Sequence, residues 1–162
     1  MPGMRPFQLP LKRNMKTNIW LLTVAAALCA GLTAHADDKH QHLAPPKGGR
    51  PLEKTNPLAE FVVEKDRSVT INFYDAAMKP VAASTQSVTV IADAKDGKAK
   101  MEFEKKGEAL VSKTKLPEGD GYNVVVQLRQ TADAKPSNYR FKLDMHTCGE
   151  CKRAEYACTC HH

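Results

Sequence analysis

The segment from His146 to His162 holds Cys148, Cys151, Cys158 and Cys160 together with His146, His161 and His162, in a chain of 162 residues that has five cysteines and six histidines in all. Thiolates and imidazoles are the side chains that bind zinc and monovalent copper. Sulfurs this close in sequence can converge on one ion without help from a distant part of the fold. Cys148-Gly-Glu-Cys151 has the spacing that folds a tight knuckle around a metal, with Gly149 easing the turn. Cys158-Thr-Cys160 sets two sulfurs on one side of a sharp bend. The expected ligand set is the four cysteines, with His146, His161 and His162 as alternates or as ligands to a second ion. The loop of six residues between the two pairs is short for a zinc ribbon. That favours a soft ion, copper(I) or zinc in an all-thiolate or mixed site.

Two other chemistries compete for the same cysteines. An exported protein can join four cysteines in two disulfides. Bridges between nearest neighbours would close tiny loops and stabilise little, whereas the crossed pairs Cys148 with Cys160 and Cys151 with Cys158 would make a small stapled knot. The chain would then be a disulfide-stapled interaction module with no metal, and the three histidines would have no role. The second competitor is redox catalysis, because Cys-x-x-Cys is also the spacing of thiol-disulfide oxidoreductases. Those enzymes place the first cysteine at a helix N-terminus in a βαβ unit, and here the motif follows a β-like stretch. No Ser-His-Asp set, phosphate-cradling glycine loop or evident pair of catalytic carboxylates accompanies it, so no enzyme is expected. His40 and His42, and the thioethers of Met78, Met101 and Met145, read as solvated, turn or core residues. Asp144, Glu150 and Glu155 are expected as exposed carboxylates near the ligands.

The compartment is read from the other end. Lys12, Arg13 and Lys16 precede an apolar run from Ile19 to Leu32, and Ala34-His-Ala36 follows as a small-x-small cleavage pattern. The run is shorter than the roughly 20 residues that span a bilayer. Residues 1–36 are therefore expected to be a cleaved signal peptide, its compact form starting at Met15, with export to the periplasm and no stable membrane insertion afterwards. Cys29 does not sit in a good lipid-acceptor box. Removing residues 1–36 takes away Arg5, Lys12, Arg13 and Lys16 and lowers the formal charge from +6 to +2. Mixed charge without an aromatic-basic cluster argues against nucleic acid as a partner.

What must position the tail comes next. Residues 37–59 are rich in Pro and Gly and poor in large apolar side chains, so a flexible arm is expected there. From Glu60 the pattern alternates over short runs separated by turn residues: Val69, Ile71 and Phe73; Val88 and Val90; Met101 and Phe103; Tyr122, Val124, Val126 and Leu128; Tyr139, Phe141 and Leu143. Asp96-Gly97 offers a hairpin turn, and Gly121-Tyr122 offers a tyrosine corner. With no amphipathic helix, residues 60–145 are expected to be an all-β, immunoglobulin-like sandwich of seven or eight short strands, and 146–162 a Cys/His-rich tail.

Val69-Thr-Ile-Asn-Phe-Tyr-Asp75, Lys79-Pro-Val81, Leu116-Pro-Glu-Gly-Asp120 and Phe141-Lys-Leu143 resemble the small β-sandwich domain of periplasmic proteins associated with heavy-metal efflux systems, including some adaptor subunits. The resemblance covers residues 60–145. It implies a periplasmic setting and a component of a copper or zinc efflux system as partner. The long helical hairpin and barrel domains of the adaptors are missing, and the Cys-rich tail lies outside that pattern.

Overall fold

The computed structural model describes residues 44–160. The expected signal peptide, Cys29, His40, His42, His161 and His162 lie outside the described residues. Among those described there are nine strands, all paired antiparallel: β1 Arg50–Leu52, β2 Leu58–Val63, β3 Val69–Tyr74, β4 Pro80–Val81, β5 Ser87–Ala94, β6 Gly97–Lys106, β7 Ala109–Ser112, β8 Tyr122–Arg129 and β9 Ser137–Leu143. The only helical element among them is one 3-10 turn, Glu155–Ala157. No described helix is long and apolar enough to cross a membrane.

The strands run in the order β1-β2-β3-β7-β6-β5-β8-β9, with β4 beside β3, in one sheet that nearly closes on itself. β6 makes this continuity possible. Its first residues pair with β5, from Ala94 opposite Gly97 to Thr89 opposite Glu102, and its last four pair with β7, from Phe103 opposite Ser112 to Lys106 opposite Ala109. One ten-residue strand therefore carries the chain from one half of the sheet into the other.

The alternation read from the sequence sets the inner face. Val88, Val90 and Ala92 on β5 stand opposite Leu128, Val126 and Val124 on β8, and all six are buried. Met101 meets Val90 from the other side and is fully buried, as a core methionine. On β3, Val69, Ile71 and Phe73 face the same core. The β5–β6 turn falls at Lys95-Asp96, with Gly97 at φ 120°. The tyrosine corner is present at the start of β8, where the Tyr122 hydroxyl donates to the Pro117 carbonyl at 2.9 Å. The Arg67 guanidinium donates to the Tyr122 hydroxyl at 3.0 Å, and to the carbonyls of Pro117 and Gly119, which pins the loop before that strand.

The expected arm over 37–59 reaches too far. β1 and the first residues of β2 fall inside it, Leu52 is fully buried, and Pro45 and Gly49 are buried as well. The prolines that suggested a disordered segment occupy an edge strand and turns, where a missing N–H costs no ladder bond. A buried carboxylate fixes this stretch. Glu60 accepts the Gly49 N–H at 2.7 Å and the Tyr74 hydroxyl at 2.5 Å, and it is fully buried. A side chain at position 49 would collide with the Phe61 carbonyl, so glycine is required where the chain crosses β2. β1 and the short β4 raise the count above the seven or eight strands expected, and β9 ends at Leu143, which leaves Met145 beyond it.

Candidate metal centre

After β9 the chain turns back on itself and makes a second, smaller hairpin. Tyr156 N donates to the Asp144 carbonyl at 2.9 Å, Glu155 N to that of His146 at 2.8 Å, and Cys148 N to that of Arg153 at 2.7 Å. Thr147 and Ala154 form an isolated antiparallel bridge between these contacts. The loop closing the hairpin is the Cys-x-x-Cys knuckle. Lys152 N donates to the Cys148 carbonyl at 3.1 Å, and Lys152 takes φ 61°, the left-handed conformation that lets the chain reverse directly after Cys151. The Lys152 ammonium donates to the Gly149 carbonyl at 2.6 Å and caps the loop.

The 3-10 turn then returns the chain to the first pair of cysteines. It is anchored by Tyr156 and Ala157, both buried in the main core. The Tyr156 ring meets Phe61 edge-on at 6.0 Å and stacks on Phe141 at 6.3 Å, and these two meet each other edge-on at 5.2 Å. The Tyr156 hydroxyl accepts the Val63 N–H at 3.0 Å, and the Tyr156 carbonyl accepts from Arg50 at 2.9 Å. Arg50 in turn lies over the Phe141 ring at 4.8 Å. The tail is therefore a folded part of the domain, seated against both β1 and β9, the two ends of the open sheet. Spacing alone pointed to a cysteine-rich appendage; the lone aromatic residue between the cysteine pairs was the signal that it docks.

These two supports bring the four sulfurs together. Cys148, Cys151, Cys158 and Cys160 are thiols, and their Sγ atoms all lie within 4.8 Å of one another. Cys158 is 3.5 Å from Cys148 and 3.7 Å from Cys151. Zinc holds thiolates at roughly 2.3 Å in a tetrahedron, whose edge is then about 3.8 Å. Both of these sulfur–sulfur distances are close to that figure. Cys148 is fully buried, whereas the other three are partly exposed.

The backbone favours negative charge at one sulfur of the cluster and not at the others. The Arg153 N–H bonded to Cys151 is the main cause that brings the Cys151 thiol down to about 7, with the neighbouring thiols adding to it. Cys160 N donates to the Cys158 sulfur at 3.3 Å and favours a thiolate there. Burial and the bonds shared with Cys148 and Cys151 outweigh that donor, and Cys158 is raised. Cys160 is pushed well up, first by its bond to Cys158 and then by burial. Of the four thiols, Cys151 is thus the one whose surroundings favour the thiolate, while Cys158 and Cys160 are held toward the thiol. A cation bound by the four sulfurs would replace the thiol protons.

His146 stands elsewhere. Its Nδ1 is 2.8 Å from an Asp144 oxygen and 3.4 Å from an Asp120 oxygen, and its side chain is 82% exposed. The Asp144 hydrogen bond, with the charges of Asp144 and Asp120, raises the His146 pKa. Asp144 is thus a partner of this histidine rather than of the thiols, and Glu150 is exposed. Asp120, read from the sequence only as part of a turn, joins them and also accepts the Met145 N–H at 3.0 Å. Met78 sits in the β3–β4 turn at φ 60°. Comparison with known proteins finds no matching family model, no matching curated protein and no matching solved structure.

Proposed function

We propose that this chain is an exported, periplasmic metal-binding protein that holds one soft ion, copper(I) or zinc, through Cys148, Cys151, Cys158 and Cys160, and that sequesters it or hands it over. The observation that carries this reading is the convergence of four thiol sulfurs with edges of 3.5 and 3.7 Å. Four clustered sulfurs with two edges near tetrahedral spacing match the ligand type of all-cysteine structural zinc sites, and the set also suits copper(I) by its softness. Three partly exposed cysteines keep the ion within reach of solvent, as cargo requires. His161 and His162 remain candidates for a second ion. Periplasmic export rests on the signal-like residues 12–36, and the link to heavy-metal efflux rests on the strand-and-turn resemblance over 60–145. We read the chain as a carrier rather than an enzyme.

The finer fold reading is an immunoglobulin-like domain. The orders β2-β3-β7-β6 and β5-β8-β9 correspond to A-B-E-D and C-F-G, with β6 lengthened to reach both sides, and the tyrosine corner supports the same reading.

A second reading has its own observation. Tyr156 bridges β1, through Arg50, and β9, through the Phe141 ring, so an ion beside it would be a structural pin. The experiment that separates these is metal analysis of the chain purified under reducing conditions, beside a Cys148→Ala/Cys151→Ala variant. The carrier reading expects one ion per chain, lost in the variant, with the sheet intact. An unchanged ion content in a folded variant rejects the site, and unfolding on chelation supports the structural pin.

A further inference from the structure

A cleft of about 500 Å³ opens along the seam between β1 and β9, and Cys158 and Cys160 form part of its wall. Cys148 and Cys151 do not line it. The cleft is strongly biased in charge: Arg50, Lys54 and Arg140 face it against the single carboxylate of Glu53. Arg50 is held by the Tyr156 carbonyl and the Phe141 ring. Among the described residues, neither Lys54 nor Arg140 has a carboxylate within 4.0 Å. These two cations are thus available to something that enters.

We infer that this cleft binds a small, carboxylate-bearing thiol, which takes the ion from the cluster through its Cys158 and Cys160 side. The inference rests on the metal-carrier reading. Three features select the class of ligand. The volume lies in the range that encloses small molecules, roughly 300–1,000 Å³, and is too small for a folded partner. An acceptor that must compete with four thiolates for a soft ion does so best with sulfur of its own. The excess of positive charge selects anions, and carboxylates pair with guanidinium and ammonium groups by charge-assisted hydrogen bonds. The exchange balances bond for bond. Each incoming thiol forms one metal–sulfur bond as one cysteine bond breaks, first that to Cys160, then that to Cys158, and last, as the ion moves into the cleft, those to Cys151 and Cys148. The proton lost by the incoming thiol is taken up by the cysteine sulfur released.

The test uses the metal-loaded full chain and an optical chelator that reports released ion. Glutathione is compared with its diethyl ester, which has the same thiol but capped carboxylates. The expected result is a release rate that saturates with glutathione and exceeds that with the ester by about tenfold, within the range charge steering supplies. A Lys54→Glu/Arg140→Glu variant keeps its ion and loses the preference. Rates linear in both thiols, or changed equally for both by the variant, overturn the inference and leave the cations as counter-charges to the thiolates. A second arm titrates S-methylglutathione, whose sulfur carries no proton to exchange, into the chain as isolated. Amide shifts at Lys54, Asn138 and Arg140, absent in the variant, are expected. A chain that carries no ion but shows these shifts overturns the carrier reading and retains the cleft; an ion-carrying chain without them overturns the cleft.

Discussion

Each sulfur in the cluster has a different environment, and its reactivity follows from that. Cys151 has the Arg153 N–H to stabilise a thiolate, whereas Cys160 shares its proton with Cys158 and is partly withdrawn from water. In chain stripped of metal, iodoacetamide is expected to modify Cys151 first, with a half-maximal rate near pH 7, and Cys160 last; peptide mapping after timed alkylation checks the order. The direction of the pH effect on metal binding follows. Below about pH 7 the Cys151 thiolate is protonated, so the ion must displace one more proton and affinity falls steeply as pH drops. Equal alkylation of all four cysteines across pH would contradict this asymmetry. The convergence of the four cysteines was legible because their spacing keeps them within one short segment, although the hairpin and the Tyr156 turn that close the set were not. The separation of His146 was not, because its partner Asp120 is distant in sequence and meets it only when β8 and β9 pair, with Tyr122 opposite Leu143.

The 3-10 turn is the element that joins cluster to core. Tyr156→Phe removes the acceptor of the Val63 N–H and is expected to cost about 1 kcal/mol, with the ion retained. Tyr156→Ala empties the space beside the Phe61–Phe141 pair and is expected to cost about 3–5 kcal/mol, with faster hydrogen exchange at Val63. If Tyr156→Ala left both stability and exchange unchanged, the tail would not be docked as described. On β8, Tyr122→Phe removes the corner hydrogen bond to Pro117 and is expected to cost about 1 kcal/mol in chemical denaturation. The alternating strands were readable because one face of each is buried, as in β5 and β8. β3 shows where that reading runs short. All six of its residues are buried, and part of its second face is polar: Asn72 and Thr70 stand there with Tyr74, whose hydroxyl meets the buried Glu60. β1 was hidden for a related reason, since Pro51 and its glycine neighbours signal a loop until the fixed partner on β2 is known.

At the scale of the molecule, one sheet nearly closes, and the hairpin that carries the cysteines sits across its opening. This arrangement places a soft-ligand cluster at a seam, half supported by the core and half open to a cationic cleft. The core is built from strands that pair without the tail, such as β5, β6, β8 and β3. Chelation is therefore expected to leave the far-ultraviolet circular dichroism nearly unchanged, while hydrogen exchange rises in residues 144–160. A loss of the whole β spectrum would make the ion a requirement of folding rather than a passenger. The central claim is that the four thiols hold one ion, and the most direct test is native and denaturing intact mass of the chain isolated from its native location, with reactive thiols alkylated. One mass increment seen only under native conditions, with four alkylatable cysteines after denaturation, is the expected result. Two disulfides and no increment would contradict it and leave a stapled β domain in place of a carrier.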